Sequence, residues 1–279
     1  MKHLNDIIKE SLAIKTIQES ILDTDEKTID DNILKYSVET ETGWTLSSDG
    51  KYILSGTKHF PGNIDTLFNG NNKEWFEKLV NCAKKYKLKI QPLGLLVLDS
   101  SSVHLLEGVD IEYICELNIC VNNPVNIDLS KIKSPIQRIS LNERRNSYCD
   151  IDSITSQKTP VITTRIDLYT GWEGLKNVKD MNCTNLITSE GRGLFLLNPK
   201  IGAIDSNRLQ QFVDNNPKVT NFYIKTRENG KKKYYQIKLK GREVVGVMGK
   251  SESALISKGV LEDFNQKNED YKQWYEKHM

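Results

Sequence analysis

LQQFVDNNPKVTNFYI, residues Leu209 to Ile224, holds one complete structural unit. Ser206 stands just ahead of it where a helix needs an N-cap, and Leu209, Phe212 and Val213 share one helical face. Asn215, Asn216 and Pro217 stop the helix, and the tetrad Asn221–Ile224 (NFYI) then reads as a strand. Five other tetrads have the same texture: Leu95–Leu98 (LLVL), Glu116–Ile119 (ELNI), Arg138–Leu141 (RISL), Arg165–Leu168 (RIDL) and Asn185–Thr188 (NLIT). Counted between their second residues, the steps are 21, 22, 27, 20 and 36. Several tetrads are followed by a polar turn and a further apolar pair, such as Ile127 with Leu129, or Leu175 with Val178. A segment this short cannot bury its own apolar face. Stacked neighbours bury it together, and something must cover each end.

A strand with a short return every 20–29 residues is similar to an irregular leucine-rich repeat. The resemblance implies an α+β solenoid with one strand per turn. The 36-residue step needs an insertion, for which Gly191–Gly193 and the run Leu194–Leu197 are suited, and the asparagine ladder of such repeats is not regular here. A mixed α+β sheet domain is the alternative fold.

The expected N-terminal cap lies upstream. Between Trp44 and Gly56, alternating apolar residues flank Ser47-Ser48-Asp49-Gly50, which predicts a β-hairpin; it occurs once, too few for a propeller. Asn71 with Glu74 forms a capping-box pattern ahead of a helix over 73–86, and Trp75, Phe76, Leu79, Val80 and Ala83 line its inner face. These readings divide the chain into 1–34, an amphipathic leader and acidic linker; 35–250, the repeat-like body; and 251–279, a C-terminal helical segment. In that last segment Gly259 separates a short helix at 252–258 from one carrying Leu261, Phe264, Tyr271, Trp274 and Tyr275.

The charge is uneven. The whole chain of 279 residues has 39 Lys and Arg against 37 Asp and Glu, a formal +2, which argues against a uniformly basic nucleic-acid coat. Residues 1–41 carry five Lys against ten acids, concentrated in the linker DTDEKTIDD from Asp23 to Asp31. Ahead of the linker, Leu4, Ile7, Ile8 and Leu12 form one helical stripe, and Ile14, Ile17 and Ile21 form another. Residues 1–11 resemble the capsid-targeting leader of tailed-phage internal head proteins. In that family a maturation protease cuts after the Glu of an Ile/Leu-x-Glu pattern, before a small residue. Ile8-Lys9-Glu10 and Ile17-Gln18-Glu19 match it, each followed by Ser. The resemblance implies processing at Glu10 and Glu19 and an address in the virion interior.

From Lys225 to Arg242 there are eight basic residues and one acid, Glu228, arranged as a hairpin around Asn229-Gly230. Lys231, Lys232 and Lys233, with Tyr234 and Tyr235 beside them, are the candidate partner-binding residues. Lysines on phosphates and a tyrosine under a base would bind nucleic acid; the same patch would also take a protein partner.

Chemistry leaves little trace. The five cysteines, Cys82, Cys115, Cys120, Cys149 and Cys183, form no Cys-x-x-Cys pair, so buried, reduced thiols are expected rather than zinc. The histidines are His3, His59, His104 and His278, and no Walker, Gly-x-Ser-x-Gly or His-Glu-x-x-His motif occurs. Asp128 with Glu143, or Asp150 with Asp152, are the carboxylate pairs a metal would use. No cofactor, metal or catalytic residue is expected. No secretory signal and no apolar run of about 18–20 residues appears. The expectation is a non-enzymatic protein-interaction module in the host cytoplasm or virion, head-associated or cargo. Its alternative is an effector holding nucleic acid through residues 225–242.

Overall fold

All six tetrad regions lie side by side in one sheet. The structure, a computed structural model, describes residues 31–55, 64–65, 70–121, 126–143, 153–155, 158–168, 171–190, 197–198 and 203–279. The leader with Glu10 and Glu19, the linker ahead of Asp31, His59, Cys149, Asp150, Asp152 and the Gly191–Gly193 loop lie outside these residues.

Among the described residues the main sheet has nine strands. Seven are parallel and stand in chain order: β3 (Ile64–Asp65), β5 (Leu93–Asp99), β6 (Ile114–Val121), β8 (Ile136–Glu143), β10 (Val161–Asp167), β11 (Cys183–Ser189) and β14 (Asn221–Glu228). An antiparallel meander, β15 (Lys231–Lys240) and β16 (Glu243–Lys250), completes it. The chain is thus α+β, built on one large mixed sheet.

The register aligns Leu96, Leu117, Ile139, Thr164, Leu186 and Phe222 in one row, and Leu98, Ile119, Leu141, Ile166, Thr188 and Ile224 in the next but one. The apolar members of both rows face the main core. This corrects one phase. The segment that aligns on β10 is Thr163–Ile166, two residues ahead of the expected Arg165–Leu168, so the steps become 21, 22, 25, 22 and 36.

The returns between strands cover that core. They carry a 3-10 helix (Ser100–Leu106), the short parallel pair β7 (Asn126–Asp128) and β9 (Ser153–Thr155), and helix α3 (Trp172–Leu175). The longest return holds the two-stranded pair β12 (Leu197–Asn198) and β13 (Ala203–Ile204), then helix α4 (Ser206–Asp214). Leu209, Phe212 and Val213 of α4 are fully buried, as the spacing predicts. Its cap, however, is Asp205, whose carboxylate accepts from Arg208 N at 3.0 Å; Ser206 is already helical. Two buried side chains tie returns together. Asn216 accepts from Met181 N and donates to the carbonyls of Val178 and Phe212, while Ser134 accepts from Ile111 N and donates to Val109 O. Each serves the backbone of the preceding return, where the buried groups need a partner.

At the N-terminal end, β1 (Thr45–Leu46) and β2 (Tyr52–Leu54) form the expected hairpin, and β2 pairs in parallel with β4 (Lys89–Ile90), outside the main sheet. Helix α2 (Gly70–Tyr86) begins before Asn71, which therefore sits inside its first turn. Phe76, Leu79, Val80 and Ala83 are buried as expected. A helix absent from the sequence reading, α1 (Asp31–Thr42), packs on α2: Trp75 Nε1 donates to Thr42 O at 2.8 Å, and Lys85 Nζ lies 2.7 Å from Glu41 Oε1.

Candidate functional site

The sheet's other face is polar, and rows of side chains join hands across strands. Ser140 donates to Glu116 at 2.7 Å, Asn142 to Asn118 at 2.8 Å and Asn221 to Asn185 at 3.2 Å. Parallel sheets usually have both faces covered. Here the cover on this side is the C-terminal segment. Helix α5 (Glu252–Ser257) leaves the end of β16, Gly259 turns the chain at φ +68, and helix α6 (Phe264–His278) follows.

This strap crosses the face from the last strands to the first hairpin. Leu255 and Val260 pack with Ile187, Tyr223 and Tyr234 in a second, smaller core. Farther along, Val260 O accepts from Thr163 Oγ1 at 2.9 Å, and Lys267 pairs with Glu262 at 2.6 Å with both side chains largely buried. Tyr271 and Tyr275 are buried, and Trp274 and His278 meet the Tyr52 ring at 5.1 and 4.9 Å. The strap ends where His278 O accepts from Ser48 N.

A cleft of about 260 Å³ remains under the strap, with Arg138, Arg165, Lys232, Glu116, Glu252 and Tyr234 on its walls. Both signs of charge are present. Arg165 Nε faces Asp167 Oδ2 at 3.1 Å, Glu116 is engaged by Ser140, and no histidine lies on the walls. The described histidines sit elsewhere: His104 Nδ1 is 2.6 Å from Ser101 O and His278 Nδ1 is 2.8 Å from Trp274 O. Among the described residues no three His, Cys, Asp or Glu side chains are placed to hold a metal, and Asp128 is engaged by Ser130 and Lys131. Cys82, Cys115, Cys120 and Cys183 are buried and outside any disulfide; burial pushes Cys82, Cys115 and Cys183 up to about 11.

Beyond the strap, the same face over β14–β16 lies open. The predicted hairpin is present, with Asn229 and Gly230 at φ 48 and 76 in its turn. A strand sends alternate residues to opposite faces, so the lysine trio divides. Lys232 shares the strap face with buried Tyr234. Lys231 and Lys233 point the other way, and Lys233 lies 3.6 Å from Glu228. Tyr234 is 5% exposed, and Tyr235 packs on the main core while donating to Glu228 at 2.7 Å. Neither ring is free to stack on a base.

What the sequence reading missed is the cluster across strands. Register places Lys225 opposite Tyr234, Arg227 opposite Lys232, Lys250 opposite Tyr234, Met248 opposite Gln236 and Glu243 opposite Lys240. Lys225, Arg227, Lys232, Lys238, Lys240 and Lys250 therefore share one face, with Glu243 as the acid among them. Lys225 is half-buried, and burial lowers its pKa, with Arg165, Lys232 and Arg227 acting in the same direction. The period-two pattern Lys232, Tyr234, Gln236, Lys238, Lys240 is the signal that would have found it.

No family model matches the chain, and neither curated proteins nor solved structures include one similar to it. Among the described residues no helix is long and apolar enough to cross a membrane.

Proposed function

We propose that the chain is a non-enzymatic protein-interaction module that receives an acidic protein partner on the open face of β14–β16. The observation that carries this is the cation set Arg227, Lys232, Lys238, Lys240 and Lys250 on one face, with half-buried Lys225 among them, beside the uncovered apolar pair Val245 and Met248, 55% and 38% exposed. Such a field steers an acidic surface, and the apolar pair gives it something to bury.

The scaffold reading is an irregular, leucine-rich-repeat-like solenoid. Its support is the run of parallel strands in chain order, mostly 21–25 residues apart, with apolar rows in register. The address belongs to the N-terminal peptide, whose likeness to capsid-targeting leaders makes this a head-associated or cargo protein. Peptides ending at Glu10 or Glu19 in mass spectra of phage heads support that address, and complete absence from particles removes it.

The surface is tested with fluorescent poly-glutamate and a single-stranded oligonucleotide. Anisotropy is expected to show salt-sensitive poly-glutamate binding that the triple variant Lys232→Glu, Lys238→Glu, Lys240→Glu abolishes. Tighter binding of the oligonucleotide, lost in the same variant, would transfer the face to nucleic acid.

A further inference from the structure

We propose that β16 is a homodimer edge, on which two copies of this chain join antiparallel around a two-fold axis at Val247. This interface shares Lys250, Val245 and Met248 with the acidic-partner surface, and the two are tested apart because Lys232, Lys238 and Lys240 lie on the neighbouring strand β15. β16 is the last strand of the main sheet, and among the described residues its outer side pairs with no strand. Its sequence, EVVGVMGK, has a charge at each end and none between.

The geometry turns on one irregular residue. The hairpin loop is Gly241 and Arg242, so the closing pair Lys240 and Glu243 bonds inward. Val244 then points its N–H outward, where Gln210 Oε1 accepts it at 2.9 Å. Next the register slips: Leu239 faces Val244, but Lys238 faces Gly246, leaving Val245 as an extra, bulged residue. The side chains record the slip. Val244 and Val247, three apart, both pack on the main core. After the bulge the outward backbone groups belong to Val247 and Gly249.

In this bulged strand Val244 and Gly249 stand the same two steps from Val247, on opposite sides. A second copy turned about Val247 therefore sets Val247 against Val247 and, with the Gln210 amide giving up Val244 N–H to the incoming strand, Val244 against Gly249 of the other copy. In that register Glu243 of each copy lies beside Lys250 of the other, two opposite-charge pairs on one face. Met248 lies opposite Gly246, where a Cβ would meet nothing within 4 Å, and beside exposed Val245. In an unbulged strand Glu243 and Lys250, seven residues apart, would fall out of phase for such pairing. A two-fold interface must be self-complementary, and the bulge is what makes this edge so. Main-chain bonds with two ion pairs and two small apolar contacts give a concentration-dependent dimer rather than an obligate one.

Sedimentation equilibrium of the full chain reads it out. A monomer–dimer equilibrium is expected. Glu243→Lys or Lys250→Glu alone sets like charges together twice per interface and weakens it about tenfold. The double variant Glu243→Lys, Lys250→Glu restores wild-type affinity within about threefold. Val247→Pro removes the central donor and abolishes association while circular dichroism stays native. A monomer at every concentration overturns the proposal, as does a dimer that both single charge variants leave unchanged.

Discussion

Arg242 carries one of the eight basic charges of residues 225–242, yet its guanidinium is spent on backbone. It donates to the carbonyls of Pro217 and Val219 at 3.3 and 3.0 Å and of Asn216 at 3.0 Å, takes Val213 O as well, and lies over the Phe222 ring. These are the orphan carbonyls at the end of α4 and in the turn behind it. Arg242→Lys keeps the charge but not the planar fork. Chemical denaturation should place it with Arg242→Ala, about 1–2 kcal/mol less stable than wild type, rather than with the parent. Asn216 does the complementary work from inside. It is fully buried, with one acceptor and two donor bonds, so Asn216→Ala strands Met181 N–H and two carbonyls at a cost of about 2–3 kcal/mol. Asn216→Asp is expected to be no better, because a carboxylate cannot donate to the Val178 and Phe212 carbonyls.

Elements show where sequence reading succeeds and why it stops. The β-tetrads are legible because their apolar residues fall at period two and recur at nearly even steps. The reading at Arg165–Leu168 lands late because Thr164 occupies the row that Leu, Ile and Phe fill in the neighbouring strands. Helix α1 is hidden because its inward contacts reduce to Leu34 and Val38 in an otherwise polar stretch. The aromatic spacing of α6 announces a packed helix, but not which surface receives it, since that contact lies more than 200 residues away in sequence. The strap has a pH signature of its own. Burial holds the Tyr271 phenol above its ordinary value of 10.0, and Tyr275 is raised likewise. Burial also raises Tyr52, aided by Glu112, and Tyr113, aided by Cys115. A docked phenol that keeps its proton favours docking fully below pH 10. Above that, the released phenol ionises and the docked one does not, so docking weakens as pH rises. Trp274 fluorescence should therefore report release of α6 in the alkaline range, and Tyr271→Phe should move that release to higher pH. An unchanged alkaline midpoint would remove Tyr271 from the account.

Across the molecule, the strap converts a linear arrangement into a closed one. Strands laid down in chain order touch mainly their neighbours, and such stacks fray from their ends because nothing links first to last. Here the contact of His278 with Ser48 spans 230 residues, and the ring contacts of Trp274 with Tyr52 reinforce it. The first hairpin and the last strands are thereby made parts of one cooperative unit. Urea unfolding followed by far-ultraviolet circular dichroism and by tryptophan fluorescence should then coincide in the full chain. Tyr271→Asp places a carboxylate where a phenol is fully buried, and burying that charge costs more than α6 gains by docking. With α6 released, the sheet keeps its returns and its main core, because no residue of α6 belongs to that core. The two probes should separate: the Trp274 share of the fluorescence moves to lower urea, while Trp44, Trp75 and Trp172, which pack in or on the main core, and the sheet signal lose less. If Tyr271→Asp shifts both curves together as one sharp transition, the strap adds stability but the sheet is cooperative without it.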